Sequence, residues 1–159
     1  MQDVVPTVEI RIIRVDDGLP FPTRQHSHDA GYDLYARCDL TIAPGGGRAI
    51  VPTGIAIAMP VGYAGFVHPR SGLAIRNGVT VLNAPGIVDA GYRGEVMVCL
   101  INTDPRITFE VRRGDRVAQL VVQQVAEVRW AEVSALPKTS RGSRGFGSTG
   151  IGTSGTENE

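Results

Sequence analysis

Short apolar runs rich in Val and Ile recur along the chain, set apart by polar stretches that carry glycine and proline. They cover residues 8–15, 39–42, 48–51, 55–59, 65–68, 79–82, 94–101, 107–111 and 116–125. Many short β-branched runs at intervals of roughly 8–12 residues, with turn residues between them, predict an all-β sandwich, jelly roll or barrel. No helical pattern of about 10 to 15 residues alternates with them, which disfavours a parallel α/β sheet. One segment reads as a helix. Over residues 71–78, Ser71 is placed to cap a two-turn helix and Gly78 to end it.

Twenty glycines and ten prolines in 159 residues exclude long helices almost everywhere. A chain of 16.9 kDa suits one domain with a core of its own. Sixteen basic residues balance sixteen acidic ones, so the electrostatic footprint of a duplex nucleic-acid binder or a polybasic membrane binder is missing. No apolar run approaches the roughly 18 residues of a membrane span, and residues 1–10 lack a basic start followed by an apolar stretch. A cytoplasmic protein without nucleic-acid or membrane partners is the expectation. Cys38 and Cys99 are too few and too far apart for a disulfide framework or zinc knuckle, and read as buried or idle thiols.

Several residues have the chemistry of a phosphate site. Arg70 and Ser71 bring a guanidinium and a hydroxyl to the predicted helix start, where unpaired N–H groups also point; an ordinary Ser cap is the plainer reading. The tail, residues 141–159, holds six Gly, three Ser and three Thr, a composition that does not order itself alone. Phe146 interrupts it beside Arg141 and Arg144, as a lid for something flat and anionic would require. Residues 145–150 are able to wrap N–H groups around phosphate oxygens, but the Gly-Lys-Ser/Thr ending of a P-loop is missing.

Among the carboxylates, Asp89 lies where one β run turns through glycines into another, either in an Asx-turn or poised to take a proton from water. Asp33 is a candidate to hold a water on a hard cation, and Asp115 to pair with Arg116 beside Gly114. His26 and His28 have metal-ligand spacing but only His68 beyond them, so a solvated loop is preferred. Ser27, Ser71 and Ser143 lack a nucleophile-elbow context.

Five blocks in order resemble the trimeric dUTPase family: AGYDLYA at 30–36, PRSGLA at 69–74, GIVDAGYRGE at 86–95, RGDRVAQL at 113–120 and RGSRGFGSTG at 141–150. The resemblance implies an all-β fold, a distorted jelly-roll or β-clip-like barrel with one short helix, as a β domain over 1–140 and a flexible Gly-rich C-terminal lid over 141–159. It implies hydrolysis of dUTP to dUMP and pyrophosphate, which limits uracil entry into DNA and supplies dUMP for dTMP synthesis. Asp89 would be the base for water attacking the α-phosphorus. Arg70, Ser71, Gly72 and Gln119 would hold the phosphates, Asn83 would read uracil, and Tyr92 would pack beneath the deoxyribose. Arg141 would meet the γ-phosphate, Phe146 would stack on the base, and Gly147, Ser148 and Thr149 would line the closed lid. Mg²⁺ would be held mainly by the substrate, with Asp33 reaching it through water. A homotrimer with shared sites is implied as well.

Arg144 departs from the family pattern, which usually has Gly there. The alternatives are an enzyme like dCTP deaminase, which shares the fold but fits the Asp89, Tyr92 and Phe146 blocks less well, and a non-catalytic nucleotide-binding module, which has no need of a carboxylate beside an anionic triphosphate.

Overall fold

The computed structural model describes residues 7–140 together with 142 and 143. By contacts the chain divides into two units, Met1–Glu127 and Val128–Glu159. All regular structure among the described residues lies in the first: β1 (Arg11–Arg14), β2 (Tyr32–Tyr35), β3 (Leu40–Ile42), β4 (Gly47–Ala58), β5 (Tyr63–His68), α1 (Ser71–Asn77), β6 (Val79–Val81), β7 (Gly86–Val88), β8 (Glu95–Asn102), β9 (Phe109–Val111) and β10 (Arg116–Gln124).

The strands pair antiparallel in two four-stranded sheets, β1-β4-β8-β6 and β2-β10-β5-β7, with β3-β9 as a separate pair. Alternation decides which face goes inside: along β8, Val96, Val98 and Leu100 are buried and Met97 between them is exposed. Val51 and Ile57 of β4, Val98 and Leu100 of β8 and Val81 of β6 share one cluster with Leu34 of β2, Val67 of β5 and Leu120 of β10. Each such side chain contributes roughly 1.5–3 kcal/mol by leaving water. This is the expected all-β jelly-roll architecture, formed by separate sheets rather than one closed barrel among the described residues. The expected Gly-rich arm falls largely outside the described residues.

Two of the predicted strands are one. Residues 48–51 and 55–59 join in β4 because the break between them is a bulge: the register against β8 shifts between Pro52 and Ala56. Gly54 takes φ +74° there, and its N–H donates to Glu95 Oε1 at 2.8 Å. Asn102, fully buried, donates to the carbonyls of Ile42 (3.1 Å) and Ile107 (2.8 Å) and accepts the Asp104 N–H (3.0 Å), tying the end of β8 to β3 and the loop before β9.

The helix forms where expected, but its start is different. Arg70, not Ser71, is the N-cap, its backbone extended, and no side chain caps the helix. Gly78 ends it in the left-handed conformation at φ 64°, donating to Ala74 O. Both cysteines are free thiols, Cys38 exposed and Cys99 half-buried, so of the expected buried or idle thiols Cys38 is not a buried one. Among the described residues no helix is long and apolar enough to cross a membrane.

In the second unit the described residues form no helix or strand, and Trp130 and Leu136 are exposed.

Candidate active site

The hairpin from β7 to β8 carries Asp89 and Tyr92. Tyr92 N–H donates to Asp89 O at 3.0 Å, and the Arg93 guanidinium donates to the carbonyls of Ala90 and Tyr92, both at 2.7 Å. The turn is therefore closed by backbone carbonyls, and the Asp89 carboxylate is left with no hydrogen-bond or ion-pair partner among the described residues. An Asx-turn would have used that carboxylate on a following N–H. Instead it lines a cavity of about 210 Å³ together with Asn83, Tyr92, Val67, Val88 and Cys99.

Tyr92 is held at its far end, where the hydroxyl donates to Glu95 O at 2.9 Å. The ring lies over Gly94, where a Cβ would stand 2.5 Å from the Tyr92 oxygen, so this position has room only for glycine unless the ring moves. The Asn83 amide makes no hydrogen bond within the described residues and is open to a ligand with both a donor and an acceptor.

A second cavity of about 450 Å³ gathers Arg70, Ser71, Gly72, Gln119, Asp33 and Arg76. Its floor is a charge cluster. Asp33, buried in β2, accepts from Arg70 Nε at 3.1 Å, from Gln25 Nε2 at 2.9 Å and from Arg116 Nη1 at 3.3 Å. Arg70 also donates to Arg116 O at 3.2 Å, and Gln119 Nε2 donates to Pro69 O at 3.0 Å. The expected Asp115–Arg116 pair is not what forms: Arg116 pairs with Asp33, and Asp115 accepts the Arg112 N–H at 2.9 Å. The bulge between Arg116 and Ala118 is local to this pairing with β2.

Among the described residues of one chain the two cavities do not meet. Asp33 pairs with Gln119 and Gln119 with His68, whereas Val88, just before Asp89, pairs with Gly65 toward the other end of β5. With β2 and β7 on opposite edges of their sheet, three strand spacings of about 4.8 Å and about four residues of about 3.4 Å separate Asp33 from Asp89, on the order of 20 Å.

The structure thus brings Asp89, Asn83 and Tyr92 together, and separately Arg70, Ser71, Gly72, Gln119 and Asp33. Arg141, Phe146, Gly147, Ser148 and Thr149, with Arg144, lie outside the described residues. Sequence reasoning missed Arg76 and Gln25 as cavity residues. Arg76 carried one signal, its place four residues after Gly72 on the same helix face; Gln25, in an irregular loop, carried none. No cluster of three or more His, Cys, Asp or Glu suited to a metal occurs among the described residues.

The family model for dUTPase matches residues 17–150. A deoxyuridine 5'-triphosphate nucleotidohydrolase of Corynebacterium efficiens is 55% identical over 143 residues, covering 90% of this chain and 78% of its own length. One from Thermobifida fusca is 54% identical over 157 residues, 99% of this chain and 87% of its own. Among solved structures, the dUTPase of Staphylococcus bacteriophage 80alpha with dUpNHpp superposes with a TM-score of 0.83 at 24% identity, over 91% of this chain and 100% of that one. A mutant dUTPase of phage phi11 of S. aureus, whose structure shows the coordination of a structural Mg(II) ion, gives 0.74 at 22% identity, over 80% of this chain and 98% of that one.

Proposed function

The chain belongs to the dUTPase family, and from that premise we propose that it hydrolyses dUTP to dUMP and pyrophosphate with Asp89 as the base for the attacking water. The observation that carries this reading is the unpartnered Asp89 carboxylate, held in one cavity with the open Asn83 amide and the anchored Tyr92 ring. A carboxylate with no structural bond to keep is free to accept a proton from water. General-base assistance contributes typically about 10²–10⁴ in rate, or roughly 2.7–5.4 kcal/mol.

Asn83 offers uracil one donor and one acceptor on a single amide, and a wrong base would leave those groups unpaired. Tyr92 closes the floor beneath the sugar and leaves no room for a 2′-hydroxyl. The phosphates go to the other kind of cavity, where Arg70, Ser71, Gly72 and Gln119 line the wall. Asp33 holds Arg70 in place there. Phosphoryl transfer rests mostly on positioning and charge stabilisation, which these groups supply.

The separation of the two cavities supports a homotrimer with shared sites. A water held by Asp89 has to lie within hydrogen-bond reach of the carboxylate, about 3 Å, while the phosphorus it attacks belongs to a chain of phosphates held on the order of 20 Å away in the same protomer. Both conditions are met when the phosphate cavity comes from a neighbouring copy, in a ring where unlike surfaces meet. The lid closes that composite site: Arg141 on the γ-phosphate, Phe146 on the base, and Gly147, Ser148 and Thr149 along the tail. Base stacking of about 1–3 kcal/mol offsets part of the entropy of ordering it.

Mg²⁺ fits this donor set as an ion carried by the nucleotide. Asp33 faces the phosphate cavity, and its three hydrogen bonds leave about one of roughly four lone-pair sites for a metal-bound water. When bound, the ion neutralises phosphate charge.

The test incubates the protein with dUTP and, separately, dCTP in the presence of Mg²⁺, and measures pyrophosphate, orthophosphate and ammonia. Pyrophosphate and dUMP from dUTP are expected. Ammonia would indicate dCTP deaminase chemistry, and nucleotide binding without product a binding module. Asp89→Asn is expected to lower turnover by about 10²–10⁴ with dUTP affinity within a few-fold, and full activity in that variant would end the assignment of the base.

A further inference from the structure

We propose that Arg76 is a further ligand of the triphosphate tail, the guanidinium that meets the outer phosphates with its charge uncompensated; this rests on the reading of the site as a dUTP site. Four features of the phosphate cavity carry it. Arg76 lines the same cavity as Arg70, Ser71 and Gln119. Its side chain folds back along α1 toward the N-terminus, the direction helix geometry dictates, and lies over Gly72: a Cβ at that glycine would stand 2.7 Å from Arg76 Nη2 and 3.1 Å from Nη1. The missing side chain at position 72 is the seat of the guanidinium.

The other charged side chains of the cavity are already engaged by hydrogen bonds within the protein. Arg70 and Arg116 both reach Asp33, at 3.1 and 3.3 Å, so one buried carboxylate already offsets part of each. Asp29, the other acidic residue of the cavity, takes the His26 N–H at 2.9 Å. Arg76 has no carboxylate or carbonyl partner among the described residues. A triphosphate is polyanionic, and the cation that gains most from it is the one with no counter-charge to give up. Because Arg76 is exposed and has no hydrogen-bond or ion-pair partner among the described residues, its loss is expected to leave the fold intact.

The test compares full-length wild type with Arg76→Gln and Arg76→Lys in steady-state dUTP hydrolysis, with inhibition by dUMP as the second readout. For Arg76→Gln, KM for dUTP is expected to rise about tenfold, the scale of one charge-assisted hydrogen bond, with kcat changed less than about threefold and the dUMP inhibition constant within about twofold. Arg76→Lys, which keeps the charge without the fork, is expected to fall between. A KM within about twofold of wild type, or a loss of dUMP affinity in step with KM, would overturn the proposal. Wild type that turns over no dUTP would instead remove the reading beneath it.

Discussion

Arg70 and Asp33 form a part-buried ion pair, Nε to Oδ1 at 3.1 Å, in which the carboxylate is 9% exposed and the guanidinium 25%. The pair joins the residue before α1 to the middle of β2, and Arg116 braces the same carboxylate from β10. The phosphate cavity is therefore built on a carboxylate that needs both guanidiniums to stay buried.

Asp33→Asn keeps the shape and removes the charge. A fully buried pair broken this way costs about 3–5 kcal/mol and an exposed one about 0–1; with Arg70 and Arg116 part-exposed, a loss of about 1–3 kcal/mol by chemical denaturation is expected. Removing a negative charge favours anions, but a misplaced Arg70 works against them, and misplacement by about 1 Å can cost 10² in rate. A fall in kcat/KM of about tenfold or more is expected; unchanged kcat/KM would show that Arg70 needs no such support.

Gly94→Ala tests the seat of Tyr92. The added methyl meets the hydroxyl that donates to Glu95 O, so the ring has to swing away. The preference for dUTP over UTP is expected to fall, along with kcat/KM for dUTP, while the thermal transition stays in place because the hairpin is exposed. Intact discrimination would mean that the sugar is read by something other than Tyr92.

How much of this was legible in the residues depends on whether the signal is local. The β runs and the Gly78 helix stop follow from side chains and turn residues alone, so they are visible in the sequence. β2 was hidden because Tyr32–Tyr35 is short and its Asp33 is polar yet buried, an inversion that makes sense only once Arg70 from the start of α1 and Arg116 from β10 are seen to reach it. The same non-local pairing defeated the expected Asp115–Arg116 contact. Asp89 was found in its block and Asn83 through the family resemblance, but nothing in linear order shows that they open onto a different cavity from Arg70. Arg76 escaped notice because an exposed helical arginine has the same pattern whether or not it folds over a glycine.

The acid limb of stability has named contributors. The Gly18 N–H first, and then the Arg113 guanidinium, hold the Asp16 carboxyl below its ordinary 3.8. The N–H groups of Arg106 and Ile107 lower Asp104 likewise. A carboxyl lowered in the folded state adds stability that is complete above its unfolded value and disappears as pH falls through the folded one. The melting temperature is therefore expected to hold above about pH 4 and decline below it, with a shallower decline in Asp16→Asn. Parallel acid limbs in the two proteins would contradict the role of Asp16.

A chain ended after Thr139 lacks Arg141 and Phe146 but keeps every residue of the buried cluster. Most of kcat/KM for dUTP is expected to vanish with the thermal transition preserved. Loss of that transition would make the tail structural.

The central claim is the direction of attack, and hydrolysis of dUTP in ¹⁸O-labelled water reads it directly. With Asp89 aiming water at the α-phosphorus, mass spectrometry finds the label in dUMP and none in pyrophosphate. Label in pyrophosphate would contradict the account.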